Sequence, residues 1–186
     1  MLDLRMACLN GNATASPSVL PTVGVDGAAG YGTGATTNDV GMYNDIEVIL
    51  DGTTYYAYIV YYDNTASAVK MARGASTNLT AWTWTVYTID AAVGAYAGTG
   101  SLSIAAIDMG ADHQAYVSYY DAANGYLMSG RSSSTDWTYW ITATIDSTSD
   151  VGRFSSNDIY TVSGDIRSAI RYSDVTAGSL KYAIAP

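Results

Sequence analysis

The chain repeats itself, and nothing else in it constrains the fold as tightly. Val40-Gly41-Met42-Tyr43 recurs as Val93-Gly94-Ala95-Tyr96 and as Val151-Gly152-Arg153-Phe154, at a spacing of 53 to 58 residues. Tyr61-Tyr62-Asp63 recurs as Tyr119-Tyr120-Asp121 and, degenerated, as Tyr172-Ser173-Asp174. Thr88-Ile89-Asp90 returns as Thr144-Ile145-Asp146, and Trp84 matches Trp140. Self-similarity at a period of tens of residues marks stacked units, each of which buries its apolar faces only against its neighbours.

Each unit reads as four strands. The first run follows the Val-Gly: Ile46 to Leu50, Leu102 to Ile107, Ile159 to Val162. The second alternates with period two, the signal of a strand: Tyr56 to Tyr62, Gln114 to Tyr120, Arg167 to Ser173. In the first of these, Ala57, Ile59 and Tyr61 fall on one face and Tyr58, Val60 and Tyr62 on the other. A turn follows, which in the middle unit holds the hairpin dipeptide Asn124-Gly125. The third run is Ala68 to Arg73, Tyr126 to Arg131 and Ser179 to Ile184; the fourth is Trp82 to Asp90 and Trp137 to Asp146. Leu2 to Ala7 lines up with a third run and Leu20 to Asp26 with a fourth, so the count is 13 strands. Residues 27–39, rich in Gly, Ala and Thr, read as an enlarged loop.

Four-stranded antiparallel units of this length are blades of a β-propeller. The expected fold is therefore all-β, with about three and a quarter blades in residues 1–186: segments 1–26 (partial), 40–92, 93–150 and 151–186 (partial). An odd strand count leaves three accounts of closure. Leu20 to Asp26 completes the last blade, or the chain is an excerpt of a longer array, or copies associate and share a ring. Open ends expose sheet edges and apolar faces, so neighbours are expected at both ends.

Composition narrows the function classes. Of 17 acids only Glu47 is a glutamate, and 17 of 22 aromatics are Tyr, a residue suited to strands. Eight Lys and Arg against 17 Asp and Glu give a net charge of −9, which argues against nucleic acid and anionic membranes as partners. No apolar run is long enough to span a bilayer. The first residues lack the charged and apolar regions of a signal peptide, and Arg5-Met6-Ala7-Cys8 makes a poor lipid-attachment motif. Cys8 is the only cysteine, so no intrachain disulfide forms.

With these motifs in view, the chain resembles the propeller repeats of bacterial and archaeal extracellular proteins related to the BNR/Asp-box class. Their blades typically read as Val-Gly-x-aromatic, an apolar strand, a Tyr-Tyr-Asp strand, a Gly-Leu-Lys-Tyr-Ala strand, then Trp and a closing Val-Asp. The resemblance spans Leu2 to Ala185 and implies fold rather than activity. Ser134-Thr135-Asp136-Trp137-Thr138-Tyr139-Trp140 approximates an Asp-box, and Ser76 to Trp82 is a weaker copy; both lack the glycine. In the family this box is a turn staple, not a catalytic site.

Candidate ligand contacts are Trp82, Trp84, Trp137, Trp140 and Tyr120, whose faces suit sugar rings; blade packing is the competing reading. The glycosidase alternative looks to Asp45 and Asp158, with Ser101 between them in the alignment, to Glu47, and to Arg73, Arg131, Arg153 and Arg171. Arg73 and Arg131 hold equivalent positions, so repetition accounts for them. His113, the sole histidine, reads as a loop residue, and no cofactor or metal site is expected. Asp63, Asp121 and Asp174 read as caps of the turns that follow them, as do Asp26, Asp90 and Asp146. Asn12-Ala13-Thr14 and Asn78-Leu79-Thr80 match the glycosylation pattern, as expected by chance in a Thr-rich chain. The expected function is a non-enzymatic extracellular module for assembly or adhesion, self-associating or set among further blades. The alternatives are a glycan-binding lectin and a fragment of a propeller glycoside hydrolase.

Overall fold

The computed structural model describes residues 3–10, 18–20, 22–27, 36–96, 101–109, 112–133 and 136–185. The chain is all-β and antiparallel throughout. It runs β1 (Leu4–Met6), β2 (Leu9–Asn10), β3 (Ser18–Val19), β4 (Val23–Asp26), β5 (Val40–Asp51), β6 (Thr54–Asp63), β7 (Ala68–Ser76), β8 (Thr83–Asp90), β9 (Leu102–Asp108), β10 (His113–Asp121), β11 (Tyr126–Ser132), β12 (Trp140–Asp146), β13 (Val151–Val162), β14 (Asp165–Asp174) and β15 (Ser179–Ala185).

Three sheets follow one another: β5-β6-β7-β8, β9-β10-β11-β12 and β13-β14-β15. Each is a meander, the natural product of strands joined by tight turns. Ahead of them β1 pairs with β4, and β2 with β3. The described residues do not form a closed ring. The loop at 27–39 and the first acceptor pattern, Asn12 to Thr14, lie largely or wholly outside the described residues.

Ladder registers show the sheets to be built on one plan. Tyr58, Tyr116 and Ala169 oppose Arg73, Arg131 and Ile184. The pairing of third with fourth strand carries the same irregularity each time: after Val69↔Asp90, after Leu127↔Asp146, and after Leu4↔Asp26. The β1–β4 pair therefore has the register of a third and a fourth strand, as the alignment of the N-terminus expects. β2–β3 is an extra small pair, bringing the strands among the described residues to 15 where the sequence predicts 13.

Two further expectations are corrected. β5 and β13 start at the Val-Gly rather than after it, and twist through two irregularities before regular pairing begins. Conversely, β12 starts at Trp140, and Trp137 lies in the preceding turn.

Apolar cores fill the gaps between sheets. Tyr58, Val60, Tyr62, Val69 and Met71 meet Leu102, Ile104, Val117 and Tyr119. The opposite face of the first sheet, Ala57, Ile59, Tyr61, Ala72 and Trp84, is covered by Leu4, Met6 and Val25. Leu127 meets Val151, Ile170, Tyr172 and Ala185. Burial of both faces of β6 matches the two-sided alternation in the sequence.

Candidate functional site

The repeated polar residues hold the sheets together. Tyr61 donates its hydroxyl to Asp26 at 2.6 Å, Tyr119 to Asp90 at 2.8 Å and Tyr172 to Asp146 at 2.8 Å. In each case the first Tyr of the Tyr-Tyr-Asp strand reaches the acid that ends the preceding fourth strand. The acids' other oxygens cap the local chain, accepting from Gly27, Ala92 and Thr148 backbone N–H groups. The turn-cap expectation thus covers half of their role, and the link between sheets is the other half.

Burial raises the Tyr61 and Tyr119 hydroxyls far above the ordinary tyrosine range, and the facing carboxylates add to it. Burial likewise pushes Tyr172 up to about 12, with Asp146 adding to it. Burial opposes ionisation of Asp146, but bonds from Thr148, Tyr172 and Lys181 outweigh it and hold this carboxyl well below the usual range. Asp63, Asp121 and Asp174 accept from Ala66, Ala123 and Ala177, as turn caps do.

A second set of links ties the first strands of the three sheets. Asp45 accepts from the Ser103 hydroxyl and the Ile104 N–H, both at 3.0 Å, and Ser103 accepts from the Asn157 N–H at 3.2 Å. The registers place Asp45 level with Ser103 and Ser156, and Asp158 level with Glu47 and Ala105. This corrects the alignment of Asp45 with Ser101 and Asp158. Burial raises the Glu47 carboxyl, with Asp45 and Asp158 adding to it against a bond from Val48. Asp45 is consumed in linking strands, as a structural residue would be.

The candidate aromatics fall into three separate places. Trp82 and Trp84 stack on each other, centroids 5.4 Å apart, with Trp84 buried in the core beneath β1 and β4. The Trp84 ring lies where a Cβ on Gly74 would be, which explains that glycine in β7. Trp137 stacks on Tyr58 at 5.3 Å, and the Arg73 guanidinium lies 5.3 Å from its centroid. Trp140 donates its indole N–H to Trp137 O at 3.1 Å, as Trp82 does to Leu79 O. Asn78 and Asp136 order these two turns by accepting from the Thr80 and Thr138 N–H groups. Ser134 and Thr135 of the Asp-box-like stretch lie outside the described residues. Tyr120 donates to Asp150 at 2.8 Å, and Arg153 covers its ring. Hollows of about 350 and 310 Å³ exist beside Arg131 and Arg171, and neither is lined by these five aromatics.

His113 is not in a loop. It opens β10, is buried, shares a hydrogen bond through Nδ1 with the Tyr58 hydroxyl, and has Nε2 3.5 Å from Asp51. Tyr56 packs edge-on against it at 4.6 Å. Burial pushes the Tyr58 hydroxyl up to about 12 despite the nearby Arg73, so this phenol stays protonated at neutral pH. The cluster closes the gap between the first two sheets. Among the described residues no group of three or more His, Cys, Asp or Glu side chains is placed to hold a metal. Among the described residues no helix is long and apolar enough to cross a membrane.

The surface feature without a structural explanation inside the chain lies on the third sheet. Leu180, Tyr182 and Ile184 of β15 are 71%, 79% and 51% exposed. At the position of Leu180, Val69 and Leu127 are 0% exposed and Leu4 4%; at that of Tyr182, Met71 is 0% and Met6 6% exposed; Ile184 stands where Arg73 and Arg131 are half-buried. Among the described residues β15 pairs only with β14, which leaves its outer edge open there. At the other end Ile46, Val48 and Leu50 of β5 lie exposed on the opposite type of face. The equivalent Ile104 of β9 is buried under the first sheet. Sequence reasoning expected open ends but could not place these residues, because exposure depends on which neighbour is present.

No family model matches the chain, and no curated protein or solved structure matches it either.

Proposed function

We propose that the chain is a non-enzymatic β-propeller module that works by binding protein, in assembly or adhesion, in an extracellular setting. The observation that carries this reading is the apolar row Leu180, Tyr182 and Ile184, of which Leu180 and Tyr182 are exposed where the equivalent Val69, Leu127 and Met71 of the same chain are covered. Contiguous exposed apolar surface with an open strand edge is a site for another sheet. The propeller reading is supported by the shared register of the sheets and the Tyr–Asp links between them. The BNR/Asp-box resemblance is supported by the two Asn/Asp-Trp turns.

The arrangement of the candidate aromatics favours packing over sugar contact, since their faces are stacked on Trp, Tyr or Arg of this chain. The acids of the inner strands favour linkage over catalysis for the same reason: Asp45 is occupied by two donors.

The test is a double variant, Leu180→Ser with Tyr182→Ser, compared with the unaltered chain by dynamic light scattering over a concentration series. The reading predicts concentration-dependent growth for the unaltered chain and none for the variant, with identical far-UV circular dichroism. It is overturned if the unaltered chain shows no growth at hundreds of micromolar.

A further inference from the structure

We propose that the partner of the open face is a second copy of this chain, bound head to tail, with β15 of one copy taking the place of β1 beside β4 of the other. The inference rests on the reading of that face as an assembly surface and names its occupant.

Three observations carry it. The first is register. β1 meets β4 through Leu4↔Asp26, a shift, Arg5↔Gly24 and Met6↔Val23. Complete third strands meet their fourth strands with the same shift at the same place. By alignment Leu180, Lys181 and Tyr182 stand level with Leu4, Arg5 and Met6. β15 therefore carries the pattern β4 already accepts, over seven residues where β1 has three.

The second is what each end lacks. Among the described residues the third sheet has a first, second and third strand and no fourth, and β4 is a fourth strand whose only ladder partner is the short β1. Added to β15, it completes a four-stranded sheet. β4 need not move to do so, because Asp26 keeps its bond to Tyr61 and Val25 its place in the core beneath.

The third is fit of the faces. β1 and β4 cover the part of the first sheet around Ile59, Tyr61 and Trp84 and leave Ile46, Val48 and Leu50 of β5 uncovered. In the two contacts between full sheets, the innermost strand of one sheet lies beside the innermost strand of the next: β5 beside β9, and β9 beside β13. A third sheet from another copy would bring β13 beside β5 in the same way. It would cover the β5 row while its own Leu180, Tyr182 and Ile184 became buried. Leu180 and Tyr182 on one side and Ile46 on the other thus stand where the chain's own sheet contacts bury Val69, Met71, Leu127 and Ile104.

A head-to-tail contact repeats until it closes. The described residues of each copy supply three such sheets, so two copies of these 186 residues give six, inside the range of about four to eight blades that close a propeller. Three copies give nine, outside it. The geometry points to a ring of two.

The test places cysteines at Val23 and Tyr182 in a Cys8→Ser background. Opposed residues in an antiparallel ladder have Cα atoms about 4.5–5.5 Å apart, within disulfide reach. Oxidation is expected to convert most of the double variant to a covalent dimer on a non-reducing gel, and either single variant to none. An Arg5→Pro variant removes a backbone donor from β1 and weakens its hold on β4. It is expected to tighten self-association at least several-fold in sedimentation velocity, and Tyr182→Asp to weaken it at least tenfold. The inference is overturned if the chain associates but yields no dimer crosslink, crosslinks within one chain, or responds to Arg5→Pro by dissociating. In those cases the assembly reading survives with a different occupant. If the unaltered chain does not associate at all, both fail.

Discussion

Tyr119 shows how much one hydroxyl does here. It donates to Asp90 across the gap between the first and second sheets, and burial raises it far above its ordinary value. Tyr119→Phe leaves the Asp90 oxygen without this donor in a partly buried place, which costs about 1–3 kcal/mol. Thermal melts should show the loss, and Tyr87→Phe, outside the links, should not reproduce it. The pH dependence follows from the sign of the shift. A folded value above the unfolded one near 10 means the stabilisation is complete below pH about 10 and is lost as pH rises past it. Titration followed at 295 nm should therefore show Tyr61 and Tyr119 ionising only in step with unfolding. A smooth ionisation of all 17 tyrosines in the folded protein would contradict this.

At the scale of elements, the repeated Val-Gly is a seat rather than a breaker. Gly152 has φ +100°, and a Cβ there would lie 2.7 Å from the Leu127 Cα on β11 of the preceding sheet. Gly152→Ala therefore adds left-handed strain to a backbone clash, about 2–4 kcal/mol together, read as a lowered urea midpoint with unchanged m-value. Most strands were legible because alternation and the Tyr-Tyr-Asp signature are local. Four things were not. Glycine in Val-Gly looks like an end, because the contact that requires it comes from another sheet. The Tyr–Asp partners lie 35, 29 and 26 residues apart, and neither residue type announces a partner at that range. A lone histidine after Gly110-Ala111-Asp112 has no periodicity, so its burial against Tyr58 left no trace in sequence. The stacking of Trp137 on Tyr58 was hidden likewise, since the turn holding it crosses to another sheet.

For the whole molecule the decisive fact is an asymmetry. Among the described residues, each sheet contact buries apolar third-strand residues (Leu4 and Met6, Val69 and Met71, Leu127), and the equivalent Leu180 and Tyr182 on β15 are left in solvent beside an open edge. Fully covering a side chain of that size contributes about 1.5–3 kcal/mol, so the two together supply a substantial drive to associate. The sequence made the uneven strand count visible; only the exposure of particular side chains on β15 and β5 shows that the two ends are complementary. Sedimentation equilibrium of the unaltered chain tests this most directly. The account predicts a species of twice the 19.6 kDa chain mass that dissociates on dilution. A single species at 19.6 kDa across the accessible concentrations would contradict it.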